Sequence, residues 1–268
     1  MAHAGDNLMH IDLTKEFMYM EFKSTLQSLF NLPEIEKIEI KGIQIPSLRN
    51  EDIIKKAFDK SFHDKYSDVD IQIGIKLDKE DYSCDSYTFL KKIGIKKEDI
   101  LGMSYSHNQD NGEVIRLCKT NSMRYDLIIN AVNTKGEPIL LFNNNYNKAD
   151  NFWFIAVQAL GKLMRKDYLI SSHLAHMLIQ EGLVLQMEMR DKEKNTNIHR
   201  YGYEEELEYL KVFNDEDSAF ARTPNETYNY ISKLLYSAVK SYDRLSYLID
   251  NSYKQRFENY LEIWACYF

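Results

Sequence analysis

Two aspartates on one alternating segment are the residues best suited to chemistry. Asp68 and Asp70 lie two positions apart in the segment 66–75, where Val and Ile occupy the intervening positions. Because side chains alternate along a strand, both carboxylates point to one face and the apolar residues to the other. Two adjacent carboxylates repel each other unless a cation lies between them, and a hard divalent ion takes oxygen ligands. The pair predicts a Mg²⁺ or Mn²⁺ site, with an edge strand bearing two solvent-exposed acids as the alternative.

A third carboxylate interrupts another apolar strand pattern. Asp126 lies between Arg124-Tyr125 and Leu127-Ile128-Ile129. A charge in such a strand is costly unless it is paired or binds a metal. A salt bridge to Arg124 or another base would satisfy it. Alternatively, three carboxylates from two neighbouring strands could hold two metal ions about 3.5 to 4 Å apart, the arrangement that serves phosphoryl and nucleotidyl transfer.

The elements that would position these aspartates belong to an α/β region. Apolar spacing predicts a helix over Leu8 to Leu29, which ends before Pro33. Alternation and turn residues predict strands over Glu36 to Ile45, Val69 to Ile75, and near 102–107, 113–118, 123–132 and 138–142. Asn, Asp and Gly residues at 109–112 and 133–136 predict tight turns between the later strands.

Beyond the Asn-rich stretch 143–147 the pattern becomes helical. Helices are predicted near 150–169, 171–190, 203–213, 224–250 and 253–266. Thr223-Pro224-Asn225-Glu226 has the capping residue, proline and third-position glutamate of a helix start. The sequence therefore predicts an α+β chain, with a mixed-sheet domain over residues 1–147 and an all-helical bundle over residues 148–268.

Two acidic motifs resemble those of a known superfamily. Ser67-Asp68-Val69-Asp70 and Arg124-Tyr125-Asp126-Leu127-Ile128 look like the motifs of the DNA polymerase β-type nucleotidyltransferases, in particular the small antibiotic nucleotidyltransferases. The segment 151–169, with Trp153, Lys162 and Arg165, is similar to the first helix of the helical domain in aminoglycoside 6-adenylyltransferases. The resemblance covers roughly residues 36–190.

This resemblance implies an enzyme that transfers a nucleoside monophosphate, AMP from ATP or the equivalent from another NTP, to a hydroxyl of a small molecule, as in antibiotic resistance. Asp68 and Asp70 would coordinate both metal ions and the triphosphate. Asp126 would hold the second metal ion and help to deprotonate the acceptor. The residues expected to bind the nucleotide are Ser47, Arg49, Ser67, Arg124 and Lys162.

The chain departs from the superfamily at the phosphate-binding turn. The superfamily has a Gly-Ser pair after its first core strand, whereas this chain has Pro46-Ser47-Leu48-Arg49 there, with Lys60-Ser61 as a competing alignment. Loss of the glycine removes a close approach of the backbone to phosphate. The alternative function is therefore that of a catalytically degenerate relative with a nucleotide-binding or regulatory role.

Charge and composition disfavour other classes of protein. The 268 residues include 34 bases and 41 acids, a net charge of −7, which lacks the broad positive field that duplex nucleic acid requires. Cys84, Cys118 and Cys266 lie far apart, which predicts neither a zinc site nor a disulfide framework and favours a cytoplasmic location. No signal-peptide or membrane-span pattern is present. The acidic stretches 204–208 and 215–217 form either a solvated helix face or a surface for a polycationic acceptor such as an aminoglycoside.

Overall fold

Alternating apolar residues build a mixed sheet in the first part of the chain. The structure is a computed structural model that describes residues 5–77, 84–108, 112–143, 147–194 and 223–267. Its strands are β1 (Ile35–Ile40), β2 (Ile43–Gln44), β3 (Val69–Leu77), β4 (Ile100–Asn108), β5 (Gly112–Lys119), β6 (Arg124–Asn133) and β7 (Pro138–Ile139). Their order in the sheet is β2-β1-β3-β6-β5-β4, and β7 pairs with β6. The β3–β6 pair is parallel and the other described pairs are antiparallel.

Helices cover one face of this sheet. They are α1 (Gly5–Phe30), α2 (Glu51–Ser61) and α3 (Ser86–Lys92), and a short 3₁₀ turn covers Lys97–Asp99. Phe22 of α1 and Phe58 of α2 are completely buried in one apolar cluster with Ile71, Ile73 and Leu127 of the sheet. The alternate residues of β3 and β6 point to the other face, where Gln72 and Asn130 are exposed. The aspartates of interest are on this second face.

The strand predicted over Glu36 to Ile45 is wrong as a single strand. Lys41 and Gly42 form the two-residue loop of a hairpin, since Ile40 pairs with Ile43. Their φ values of +47° and +77° give the paired positive φ angles of a type I′ turn, which glycine adopts without a steric penalty. Residues 45–50 then lead into α2, whose first turn Asn50 caps by accepting the backbone N–H of Ile53.

Four further helices make up the second part of the chain. They are α4 (Lys148–Met164), α5 (Tyr168–Lys194), α6 (Pro224–Ile249) and α7 (Phe257–Tyr267). The capping box predicted at Thr223 and Glu226 is confirmed at the start of α6. Helix α4 ends earlier than the predicted residue 169, because Lys166 takes a left-handed backbone with φ +61°. The predicted helix over 203–213 lies outside the described residues.

Helix α7 begins at Phe257 and not at the predicted residue 253, because residues 253 and 256 take part in a buried polar network. Asp243 accepts hydrogen bonds from the Tyr253 hydroxyl at 3.0 Å and from the Arg256 backbone N–H at 2.8 Å. Trp153 Nε1 donates to the same tyrosine hydroxyl at 2.7 Å. Arg256 Nη1 also donates to Asp150 Oδ1 at 2.6 Å. Burial raises the pKa of both the Asp150 and the Asp243 carboxyl, while the Arg256 contacts oppose this rise.

The predicted α+β class is confirmed, since the described residues combine a mixed sheet with seven α-helices. The chain divides into two compact units, Met1–Asn147 and Lys148–Phe268. Among the helices that the structure describes, none is both long enough and apolar enough to cross a bilayer.

Candidate metal centre

The parallel pairing of β3 with β6 brings three aspartates together. Asp70 of β3 is in register with Asp126 of β6, and Asp68 lies just before β3. Residues in register on neighbouring strands point to the same face, with the strands about 4.8 Å apart. One carboxylate oxygen of each aspartate lies within 4.8 Å of the other two. The side chains on which the sequence prediction depended therefore form one cluster.

Burial and, after it, repulsion between neighbouring carboxylates disfavour the charged form of Asp126 in this cluster. Burial raises the pKa of the Asp126 carboxyl, and the negative charge of Asp68 raises it further. Arg116 and Arg124 act in the opposite direction, but the net shift is upward. The clustered carboxylates consequently favour a bound cation or proton. Because every donor is a carboxylate oxygen, the set fits Mg²⁺ or Mn²⁺ better than a thiolate- or imidazole-preferring metal.

Two basic side chains flank the aspartates. Lys41, at the end of β1, forms an ion pair between its Nζ and Asp70 Oδ2. Arg116 of β5 is in register with Asp126, and its Nε lies 3.1 Å from Asp126 Oδ2. Across β1, β3, β6 and β5 the order is thus cation, anion, anion, cation. We call Lys41, Asp70, Asp126 and Arg116 the charged row.

The two cations of the charged row do not stand out in the amino-acid sequence. The Lys41-Gly42 dipeptide is a turn signal, but it lies within an alternating segment that reads as one strand. Arg116 could have been found from the β5–β6 hairpin, because Cys118 pairs with Arg124 and the antiparallel register then places Arg116 beside Asp126. The proximity of Arg116 to Asp126 therefore follows from the register of β5 and β6 and not from either strand alone.

The hairpin turn that carries Lys41 is tied to α2. Lys60 of α2 donates from Nζ to the carbonyl oxygen of Lys41 at 2.6 Å. The bond fixes the end of β1 next to Asp70 and adds a second ammonium group on this side of the charged row. Lys60, which the competing alignment singled out, is therefore attached to the hairpin turn.

Ser67 and Arg124 support the segment that precedes Asp68. Ser67 Oγ donates to Asp64 Oδ1 at 2.9 Å and closes a short turn. Arg124 is 7% exposed and donates from Nη1 to the carbonyl oxygen of Tyr66 at 3.0 Å, whereas its buried Nε has no hydrogen-bond partner among the residues that the structure describes. These contacts fix residues 64–67 and thereby the position of Asp68, which follows directly. The role predicted for both residues in nucleotide binding stays a prediction.

Ser47 and Arg49 lie in the 45–50 segment, which connects the β1–β2 hairpin to α2, and their role in nucleotide binding stays a prediction. The backbone N–H of Ile45 donates to the carbonyl oxygen of Ile38 at 2.9 Å, so the chain has already turned back along β1 before Ser47. Ser47 is half-buried and Arg49 is exposed in the 45–50 segment. The Lys41-Gly42 turn directly follows β1, and the 45–50 segment comes after β2.

The remaining predicted residues lie in the second unit. Lys162 is on α4, where its Nζ lies 3.5 Å from Asp167 Oδ2. The acidic stretches 204–208 and 215–217, considered as a surface for a cationic acceptor, lie outside the described residues.

Comparisons with known proteins give no family assignment. No protein-family model and no curated protein sequence matches the chain. Its function must therefore be inferred from the chemistry of its own residues.

Proposed function

We propose that this protein is a divalent-metal-dependent nucleotidyltransferase of the DNA polymerase β-type superfamily. The observation that carries the proposal is the convergence of Asp68, Asp70 and Asp126 within 4.8 Å on the exposed face of a mixed sheet. The resemblance of the two acidic motifs supports the same activity. Mg²⁺ or Mn²⁺ would be held by these three carboxylates and would supply charge stabilisation at the reacting phosphate.

The proposed reaction joins a hydroxyl to the α-phosphate of an NTP, ATP being the first to test. The hydroxyl oxygen forms a bond to the α-phosphorus, the bond from that phosphorus to the bridging oxygen breaks, and pyrophosphate leaves with the electron pair. The proton of the hydroxyl passes to a base, for which the resemblance suggests Asp126. Proximity of two reactants and neutralisation of the phosphate charge are the contributions such a site makes to the rate.

The proposed acceptor is a small molecule with a free hydroxyl. The resemblance to the small antibiotic nucleotidyltransferases makes a polycationic aminoglycoside the first compound to test. The net charge of −7 supports a cationic acceptor over a nucleic acid.

Pyrophosphate release tests the proposed activity. The protein is incubated with Mg²⁺, each NTP and a panel of aminoglycosides and lincosamides, and pyrophosphate is measured. We expect release that falls by at least about a hundredfold in Asp70→Asn and Asp126→Asn, because each change removes a charged ligand oxygen. Glu36→Gln is the matched control, since Glu36 is an exposed acid on the same sheet, with 58% of its side chain exposed, and is paired only loosely to Lys76 at 3.8 Å.

The second candidate function is nucleotide binding without turnover. The observation that favours it is the ion pair of Lys41 with Asp70, which places a cation on an oxygen that would otherwise bind the metal ion. Calorimetric titration with Mg·ATP distinguishes the two functions. Binding without pyrophosphate release with any acceptor supports the second, and no binding of Mg·ATP or Mn·ATP contradicts both.

A further inference from the structure

The two cations of the charged row occupy the atoms that a metal ion would use. Lys41 contacts Asp70 Oδ2 and Arg116 contacts Asp126 Oδ2. A metal bound by all three aspartates must compete with both contacts for these oxygens. The cations are thus counter-ions of the metal-free cluster and compete with the ion that the cluster would bind.

Both contacts can be broken at small cost. The side chains of Lys41 and Arg116 are 37% and 43% exposed, so water can solvate the charges when they leave the carboxylates. Ion pairs with this exposure add little to the stability of a protein, because water already screens the two charges. The backbone of Lys41 nevertheless stays in place, because the hairpin register and the bond from Lys60 fix it. Only the side chains need to move.

Charge balance indicates where these side chains go once a metal is bound. The three aspartates carry three negative charges, of which the two cations compensate two. Two divalent ions would reverse the sign of the cluster and repel Lys41 and Arg116 from it. A triphosphate bound next to the metal would then be the nearest strong anion. Because the two cations lie at opposite ends of the charged row, they could contact it from two sides.

We infer that Lys41 and Arg116 are displaceable counter-ions that hold the aspartates in the absence of metal and bind the phosphates of the nucleotide when metal is present. The inference deepens the proposed function and rests on it. It assigns each cation two successive partners, a carboxylate and then a phosphate. Arg116 adds a planar donor pair suited to phosphate, and Lys41 adds a point charge.

The two roles predict opposite effects on two affinities. In Lys41→Met and Arg116→Met, Mn²⁺ no longer displaces a cation, so we expect Mn²⁺ alone to bind about two- to fivefold more tightly. With saturating Mn²⁺, we expect a non-hydrolysable ATP analogue to bind about tenfold or more weakly, because a charge-assisted hydrogen bond to phosphate is lost. Isothermal titration calorimetry measures both affinities on the full chain.

Lys76→Met is the matched control. Lys76 lies on the same face of β3 as Asp70, is 44% exposed and pairs with Glu36 at 3.8 Å. Its loss should change neither the affinity for Mn²⁺ nor that for the ATP analogue. The variants Lys41→Arg and Arg116→Lys keep the charge and should retain most of the nucleotide affinity. Far-ultraviolet circular dichroism checks that each variant is folded, and the charge-conserving pair tests the inference if a methionine variant is not.

Four outcomes would overturn the inference. If Lys41→Met and Arg116→Met bind Mn²⁺ no more tightly than the wild type, the cations do not compete with metal. If the analogue binds equally well to them, or if Lys76→Met behaves as they do, the cations are not specific phosphate ligands. The proposed function is not contradicted by any of these variant results as long as the wild type binds both Mn²⁺ and the analogue. A wild type that binds neither contradicts both.

Discussion

Cys118 and Cys266 have opposite environments, which should be evident in their reactivity. Cys118 is completely buried on β5, and burial raises the pKa of its thiol to about 12. Cys266 is exposed on α7. Because the thiolate is the reactive form, we expect iodoacetamide to modify Cys266 in the native protein and Cys118 only in denaturant. Peptide mass spectrometry after timed labelling measures this. Equal labelling of both thiols in the native state would contradict the packing of β5.

Arg124 is a second buried residue, and its loss should lower the stability of the protein. Replacing it by Met removes the donor to the Tyr66 carbonyl, and the free energy of unfolding should fall by about 1 to 3 kcal/mol. Urea denaturation followed by circular dichroism measures the change. Arg49→Met is the control, because Arg49 is exposed in the same unit and its loss should change stability by no more than about 0.5 kcal/mol. If Arg49→Met lowered the free energy of unfolding more than Arg124→Met does, the stabilising role assigned to Arg124 would be contradicted.

The sequence is informative about single residues that break a pattern. Asp68, Asp70 and Asp126 could be selected because each lies in or next to an apolar alternating run, where a charge requires an explanation. Lys41 and Arg116 could not be selected in this way. Their significance depends on which residues they face across the sheet, and strand register is a long-range property that composition does not encode.

At the level of elements, two glycines differ in the reason why a larger residue would be unfavourable. Gly112 and Gly136 both have positive φ values, +70° and +80°. A Cβ on Gly112 would overlap the carbonyl oxygen of Ile129 and lie 2.7 Å from Asn130 Oδ1, whereas a Cβ on Gly136 would have no atom within 4 Å. Gly136→Ala should cost about 1 to 2 kcal/mol from backbone strain alone. Gly112→Ala should cost a further 1 to 3 kcal/mol, roughly, because β5 must move away from β6.

Chemical denaturation of both variants measures the two costs. Since β5 carries Arg116, the cation that competes with metal for Asp126, Gly112→Ala should tighten Mn²⁺ binding, whereas Gly136→Ala should leave it unchanged. Equal stabilities of the two variants would show that the start of β5 can shift without loss of pairing.

The elements themselves were predictable to different extents. Helix α2 has apolar residues at Ile54, Ala57 and Phe58 and a capping residue at Asn50, so its pattern was present in the sequence although it was not predicted. Strand β7 has only two paired residues, Pro138 and Ile139, and the predicted strand over 138–142 is too long. Short edge strands depend on tertiary contacts more than on local preference.

At the scale of the whole molecule, the two tryptophans report on one unit. Trp153 and Trp264 are the only tryptophans in the sequence, and both belong to the unit Lys148–Phe268. Arg256→Met should destabilise this unit by about 3 kcal/mol or more, because the buried Asp150 carboxylate loses the guanidinium that neutralises it. Tryptophan fluorescence during urea unfolding measures the loss. The double variant Asp150→Asn, Arg256→Met should regain part of it, and strictly additive losses would show that the two residues do not interact.

The same unit should respond to pH in a direction set by its buried acids. The pKa values of Asp150 and Asp243 are raised in the folded state, so the folded state binds protons more tightly than the unfolded state does. The contribution of these groups to stability therefore increases as pH falls through the raised pKa values toward the ordinary value of 3.8. As the pH falls toward 3.8, wild type should therefore gain stability relative to Asp243→Asn. A loss over this range would contradict the upward shift.

The parallel pairing of β3 with β6 also has a consequence for folding kinetics. Asp70 and Asp126 are separated along the chain by α3, β4 and β5, so the loop between them must close before the three carboxylates can meet. Such long-range pairing is slow, because the entropy of loop closure is lost before the contacts form. A metal ion bound by all three aspartates would therefore slow unfolding far more than it would accelerate folding, and EDTA would shorten the lifetime of the native state.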